Sequence, residues 1–299
     1  MAATSNIESL LVDTGETTIF LQRSGAGPAL LLLHGFPQTH LMWRNVAPVL
    51  AGQFTVICAD LRGYGQSGCP AADASHYAYS KRAMARDMVK VMSQLGFDRF
   101  SVAGHDRGGR VAYRLALDYP ERVEYLAVFD ILPILEAGNR ADRRLAETFW
   151  PWSLLMQPEP LPEQMILGAA DAVIDNALAG WGTQKDSFSE DVREAYVKAL
   201  RDPAHVHSIC EEFRAAATID HEHDNETRVF NQRINCPVLA VWAKAGALDT
   251  WYNDAGGPLA IWKNWARQVE GQAISGGHFF PEEEAEETAG LLKSFLLRS

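Results

Sequence analysis

Phe100-Ser101-Val102-Ala103-Gly104-His105-Asp106-Arg107-Gly108-Gly109-Arg110-Val111 decides the architecture. The short run Phe100 to Ala103 reads as a buried strand, and a helical pattern extends from Gly108 to Asp118. A strand that turns at once into a helix brings two backbones together, and glycine on each side of the tip leaves room for that approach. The tip residue is Asp106. The turn therefore lifts a carboxylate above the C-terminal end of a strand, where the start of the next helix supplies partial positive charge.

Outward from this turn, similar apolar runs recur at Ala29 to Leu33, Phe54 to Cys58, Tyr125 to Phe129 and Val238 to Trp242, and a further strand-like stretch spans Gln268 to Ile274. Short apolar runs of this kind suit parallel strands buried on both faces. Thr17 to Gln22 alternates and reads as an early antiparallel strand. Helical stretches such as Lys81 to Leu95 separate the runs, which predicts a mostly parallel sheet flanked by helices. The alternation stops after Pro133. From about Gly138 to Ile219 the chain is helical in pattern, rich in Trp and Ala, and interrupted by Pro151, Pro158, Pro160, Pro162 and Pro203. The expected organisation is a core of residues 1–137 and 220–299 with a helical cap of residues 138–219 inserted between two sheet strands. A Gly-x-nucleophile-x-Gly turn between strand and helix is the nucleophile elbow of the α/β-hydrolase fold, with Asp where esterases carry Ser. The expected fold class is therefore α/β, of the α/β-hydrolase type.

The chain has 299 residues, 47% hydrophobic and 22% charged, a globular composition with length for one large domain and an insertion. A net charge of -11 argues against nucleic acid or an anionic membrane as partner. It leaves room for a small anionic substrate, because a few local arginines can override the global sign. Met1 to Val12 shows no basic or apolar leader pattern, and no apolar run approaches the length of a membrane span. A cytoplasmic location is expected. Cys58, Cys69, Cys210 and Cys236 are scattered without CxxC spacing and are expected to be free thiols. His205/His207 and His221-Glu222-His223 lack three-ligand spacing, so no metal is expected, and no cofactor is implied.

An Asp nucleophile selects the chemistry. A carboxylate attacks esters poorly but can displace a leaving group from saturated carbon, giving an ester on the enzyme that water must then hydrolyse. The water needs a base, for which Gly276-Gly277-His278 offers His278, and the base needs an orienting carboxylate, for which Asp130 follows the run Tyr125 to Phe129. Taken singly, His278 reads as a loop histidine and Asp130 as a helix cap. Three such groups at expected strand ends read as a triad. His34-Gly35-Phe36-Pro37 follows another strand, which makes the amides of Phe36 and Arg107 the candidate oxyanion hole. Arg107, Arg110 and Arg114 share one helix face. A cation in the first turn opposes the helix dipole, so Arg107 and Arg110 suggest a carboxylate site, while Arg114, four residues before Asp118, reads as a structural pair. Trp150, Trp152 and Trp181 supply indole N–H groups to the cap, either as packing or as donors to a departing halide.

With these residues in view, the chain resembles the fluoroacetate (haloacetate) dehalogenases. The resemblance rests on His34-Gly35-Phe36-Pro37-Gln38-Thr39-His40, Asp60-Leu61-Arg62-Gly63-Tyr64-Gly65, Gly104-His105-Asp106-Arg107-Gly108-Gly109-Arg110-Val111, Gln157-Pro158-Glu159-Pro160, Cys210 to Asp220 and Gly277-His278-Phe279-Phe280. It covers nearly the whole chain. The core motifs are shared with epoxide hydrolases and haloalkane dehalogenases, whereas Asp-Arg-x-x-Arg is more specific, since those relatives usually carry Trp after the nucleophile. The resemblance implies that Asp106 attacks the halogen-bearing carbon, that Asp130 and His278 drive hydrolysis, that Arg107 and Arg110 hold the substrate carboxylate, and that the protein forms a homodimer. The family's halide pocket is a His-Trp pair in the cap and a Tyr further on. Here those positions read Pro151-Trp152 and Phe213, with Trp181 matching another cap tryptophan near the site. Two lost donors, each worth roughly 1–3 kcal/mol when buried, amount to about 10- to 10⁴-fold for C–F cleavage. The expectation is a dehalogenase of short 2-haloacids that favours chloride or bromide over fluoride. The competing expectation is an epoxide hydrolase, which needs cap tyrosines, and Tyr196 is the only tyrosine between Gly138 and Ile219.

Overall fold

The computed structural model describes residues 7–183 and 187–298. Eight strands form one sheet in the order β1-β2-β4-β3-β5-β6-β7-β8. They are β1 (Glu8–Asp13), β2 (Thr18–Ser24), β3 (Ala29–Leu33), β4 (Thr55–Ala59), β5 (Phe100–His105), β6 (Val123–Phe129), β7 (Val238–Ala243) and β8 (Val269–Ile274). From β4 through β8 every neighbouring pair is parallel, and β2 joins β1 and β4 antiparallel. Every residue of β3, β4 and β5 is buried, as continuous apolar runs require when helices cover both faces. The α/β-hydrolase expectation therefore holds. One strand was not anticipated: β1 is an edge strand with four of its six residues exposed, and its apolar run is only the three residues Leu10-Leu11-Val12.

From Ile134 to Val229 the described residues contain helices and no strand. The helix Pro203–Ala217 shows how the sequence builds this region. Asp202 caps it by accepting from the amides of Ala204 and His205, Pro203 occupies its first turn, and Val206, Ile209, Cys210 and Phe213 form its apolar stripe. That stripe brings Glu212 and Phe213 down onto the carboxyl end of the sheet.

The turn at Asp106 is as tight as the sequence demands. Asp106 takes φ +47°, a left-handed conformation that a side chain adopts at a cost. A Cβ on Gly104 would lie 2.4 Å from the carbonyl oxygen of Gly108, and one on Gly108 would lie 2.3 Å from that of His34. Both contacts are with backbone, which cannot step aside. Gly104→Ala should therefore open the elbow: overpacking of about 1–3 kcal/mol lowers the melting temperature by roughly 2–10 °C, with catalysis lost at temperatures where the variant is still folded. Thermal denaturation monitored by circular dichroism checks this, and an unchanged melting temperature would show the turn to be looser than the geometry states.

Candidate active site

Four parallel strands deliver the candidate catalytic groups to one edge of the sheet. Asp106 follows β5, Asp130 follows β6, His278 follows β8 and Phe36 follows β3. All four are buried. His278 Nδ1 lies 2.6 Å from Asp130 Oδ2, which fixes the tautomer: Nδ1–H donates to the carboxylate and Nε2 keeps its lone pair. Nε2 then faces Asp106 Oδ2 across 4.0 Å. The other oxygen of Asp130 accepts from the Ala243 amide at 3.0 Å, so the carboxylate is held from β7 as well. Asp106 Oδ1 accepts from the Phe36 amide at 2.9 Å. Of the two amides expected to form an oxyanion hole, that of Phe36 is the one seen donating. Its bond marks Oδ2, on the His278 side, as the oxygen free to attack.

His105 was not anticipated. Its Nε2 lies 2.7 Å from the backbone carbonyl of His278, and the two rings are 4.6 Å apart. Burial, followed by the nearby His278, lowers its pKa to about 4. It is thus a neutral donor that holds the His278 loop against the elbow. Its only sequence signal is its place inside the Gly-x-Asp turn.

The charges settle the resting states. Burial alone would raise the pKa of Asp106, but His278, Arg107, His105 and Arg110 together outweigh it and bring it down to about 2. Burial alone would lower the pKa of His278, yet the hydrogen bond and charge of Asp130 and the charge of Asp106 raise it above its ordinary value. Asp106 is ionised at any physiological pH.

Arg107 and Arg110 both reach the site. Arg107 is fully buried, with its Cζ 3.5 Å above the Phe213 ring and 5.2 Å from that of Trp152. Its Nε lies 3.0 Å from Glu212 Oε2, an ion pair by distance whose N–H does not point along a hydrogen bond. Arg110 sits 4.3 Å over Trp152. All three guanidinium nitrogens of Arg107, together with Nε and Nη1 of Arg110, are buried without a hydrogen-bond acceptor. Burial, then the charge of Arg107, lowers the pKa of Arg110. Glu212 is in turn bonded by Lys81 Nζ and accepts from Tyr64 Oη at 3.3 Å. Arg114, by contrast, is fully paired, at 2.6 Å to Asp224 and 3.3 Å to Asp118, the structural role expected of it.

A cavity of ≈40 Å³ opens above Asp106. Arg110, Asp130, His278 and Trp152 line it with Asp106, and the remaining wall is apolar and aromatic, including Leu145, Phe149, Leu248, Trp251 and Tyr252. The last five were not anticipated, because nothing in their spacing ties them to the elbow. Arg107, Pro151 and Phe213 lie behind this lining. Pro151 is buried in the first turn of the helix Trp150–Leu155, and Phe213 stands edge-on to Phe36 at 5.5 Å and covers Arg107. Trp181 corrects an expectation. Its indole N–H donates to the Thr148 carbonyl at 2.7 Å and its own carbonyl accepts from the His278 amide at 2.9 Å, so it walls His278 and has no donor left for a halide. Trp150 is likewise engaged, with Asn176 at 2.6 Å.

The histidine groups set aside as metal ligands are dispersed. His205 Nδ1 faces the Gly63 carbonyl at 3.0 Å and the Cys69 thiol at 3.4 Å, and His221 Nε2 lies 3.3 Å from Asn139. Spacing could not reveal that His207 would meet Glu159 and Glu163, whose ligand atoms lie within 4.8 Å of one another. Arg214 already holds Glu163 Oε1 at 2.8 Å, so a cation there would have to displace a guanidinium. The four cysteines are free thiols. Among the described residues, no helix is long and apolar enough to cross a membrane.

Fold and site together define a hydrolase of the α/β type, and the chain belongs to that family: the family model for the alpha/beta hydrolase fold matches residues 28–285. Within it, the chain is 43% identical over 290 residues to a fluoroacetate dehalogenase from Burkholderia sp, covering 97% of this chain and 93% of that one. It is also 32% identical to a soluble epoxide hydrolase from Corynebacterium sp. (strain C12), over 87% of each chain. A solved alpha/beta hydrolase structure from Nostoc sp PCC 7120 superimposes with a TM-score of 0.94 at 45% identity, covering 98% of this chain and 99% of that one. The resemblance read from the motifs thus extends along nearly the full length.

Removing the Asp130 charge gives a direct test of the triad electrostatics. Asp130 supplies the hydrogen bond and the largest attraction that raise the His278 pKa, so in Asp130→Asn burial should dominate and the pKa should fall below 6.5. A ring-carbon NMR titration of His278 reads the shift. A pKa that stays where it is in the wild type would separate Asp130 from the base.

Proposed function

We propose that this chain is a hydrolytic dehalogenase of short 2-haloacids, working through an ester on Asp106 and favouring chloride or bromide over fluoride. The observation that carries the reading is Arg110, which lines the cavity beside an ionised Asp106 with its Nε and Nη1 buried and without acceptors, backed by the charge of Arg107 behind the lining. Leaving a buried donor unpaired is costly, and a planar carboxylate satisfies several at once. The size of the cavity agrees. At ~10–15 Å³ for each water-sized group, ≈40 Å³ takes about three such groups, which favours a very small substrate over a large one.

In this reading Asp106 Oδ2 forms a bond to the carbon bearing the halogen as the carbon–halogen bond breaks, and the halide leaves with the electron pair. Water then attacks the acyl carbon of the ester while His278 Nε2 takes its proton. The Phe36 and Arg107 amides hold the resulting oxyanion, Asp130 steadies the imidazolium, and collapse releases the 2-hydroxy acid and restores the Asp106 carboxylate. An epoxide hydrolase would use the same triad, and a relative of that name matches the chain. The cap tyrosine such chemistry would draw on, Tyr196, is buried and donates to Glu282 Oε1 at 2.9 Å.

His278→Ala should stop after the first step, because displacement needs no base and hydrolysis does. Mass spectrometry of that variant with bromoacetate should find the carboxymethyl group on Asp106. A protein left unmodified under conditions in which the wild type turns over would refute the covalent reading, and the same assay with an epoxide tests the rival.

The halogen order follows from the donors near the leaving group. Pro151 and Phe213 have none to give and Trp181 has spent its own, which leaves Trp152 among the positions that the resemblance assigns to the halide. Fluoride, small and strongly hydrated, suffers most from that loss. The wild-type kcat/KM for chloroacetate should exceed that for fluoroacetate by about 10-fold or more. Halide release measured side by side decides it, and a ratio near one would mean that fluoride is well held by groups not identified here.

A further inference from the structure

We infer that Tyr252 is a substrate-binding residue whose hydroxyl donates to the carboxylate of the bound acid, completing the site that Arg110 begins. The inference rests on the haloacid reading above and adds a third member to its anion site.

Tyr252 lies just beyond the short helix Ala247–Trp251, on the segment that leaves the carboxyl end of β7. Its backbone carbonyl accepts from the amides of Ala255 at 3.0 Å and Gly257 at 2.8 Å, so the turn that carries it is fixed. The side chain is 6% exposed, and it lines the same cavity as Asp106, Arg110, Trp152 and His278. A buried phenol ordinarily finds a partner for its O–H. The other buried tyrosines do so: Tyr64 with Glu212, Tyr79 with Pro70 and Ser208, Tyr113 with Asp224, and Tyr196 with Glu282. The hydroxyl of Tyr252 makes no hydrogen bond to any described residue and is not sealed from solvent, so it is open to a ligand. Its position and its idle donor are what a ligand oxygen would satisfy.

The same ring also faces an outer recess of ≈200 Å³ lined by Arg140, Asp142, Arg144 and Asp254. Three of those four groups are already matched, since Arg144 pairs with Asp142 at 2.7 Å and Arg140 bonds Glu136. On the inner side Arg110 still has two nitrogens without an acceptor. Arg110 is also the charged group that acts most strongly on the phenol. The hydroxyl therefore belongs to the end of the cavity that Arg110 serves. Burial raises the phenol pKa, so the donor keeps its proton at neutral pH. A guanidinium and a phenol on one carboxylate supply charge and direction from two walls, the first from the elbow helix and the second from the loop after β7.

Tyr252→Phe removes one oxygen that has no protein partner, so the fold should be left intact. Wild type and variant are compared on bromoacetate, chloroacetate and chloroacetamide. The expected result is a KM for both acids raised about 10-fold by the same factor, with kcat changed less than about twofold and the neutral amide unaffected. Equal losses on acids and amide would make the role structural. A fall in kcat that is larger for chloride than for bromide, and shared by the amide, would place the hydroxyl on the leaving group. Either outcome overturns the inference, as does an unchanged KM in a wild-type background that prefers acid to amide. A wild type that turns over acid and amide alike, with Arg110→Gln costing neither, would instead overturn the anion-site reading itself and Tyr252 with it.

Discussion

The strained turn at Asp106 is the constraint on which the rest of the structure depends. A left-handed conformation at a residue with a side chain costs on the order of 1–3 kcal/mol and persists only where the surroundings enforce it. Here β5 and the helix Asp106–Asp118 are both fully packed, and the loop after β3 closes over the turn through Gly35, where a Cβ would strike the Asp106 side chain. The same contacts that impose the strain place the Phe36 amide on one carboxylate oxygen. They leave the other pointing at His278. Fold and nucleophile are therefore one arrangement, and loosening either would release both.

Burying that carboxylate obliges the protein to bury cations near it. Arg107 and, through Glu212, Lys81 form a chain of alternating charge that runs from the elbow helix to the helices Lys81–Gln94 and Pro203–Ala217, with Arg110 unpaired beside it. Removing one partner of such a network strands the others, which is why Arg107 is anchored at Nε and covered by Phe213 although the helix dipole opposes it. What the network leaves unpaired is as informative as what it pairs. Glu212 neutralises one guanidinium, and the remaining positive charge faces a cavity that no protein acceptor fills. Overall acidity, at a formal net charge of -11, says nothing about this local sign.

The sheet was legible in the sequence because its strands are buried on both faces and appear as continuous apolar runs. The triad was legible because Asp106 and Asp130 stand just after such runs and His278 shortly after the strand-like stretch that forms β8. The edge strand β1 escaped, since an exposed strand need not be apolar, and Leu11 on it is 65% exposed. The cavity wall escaped for a different reason. Leu145 and Phe149 come from the helical insertion and Trp251 and Tyr252 from the segment after β7, and their meeting above Asp106 is set by how helices pack rather than by any local period. Trp181 shows the converse. An indole near the site suggests a donor, but only the fold reveals that the Thr148 carbonyl has already taken its N–H.

In the proposed ester mechanism, the charges also order the two chemical steps. At rest, Asp106 is one of the groups that raise the His278 pKa. Forming an ester on Asp106 consumes that negative charge, and the attraction it exerted on the imidazolium disappears. The His278 pKa must then fall relative to the resting enzyme, because burial still lowers it while only Asp130 continues to raise it. The base is thereby shifted toward its neutral form at the point where water has to be deprotonated. During the displacement that precedes it, Nε2 has no proton to take. The separation of 4.0 Å between Nε2 and Asp106 Oδ2 fits this sequence, since it is too long for a direct hydrogen bond that would tie up the attacking oxygen. Arg107 and Arg110, which cannot lose their protons, join His278 in keeping Asp106 ionised in the first step. The permanent charges persist through both steps, and the titratable partner changes role between them.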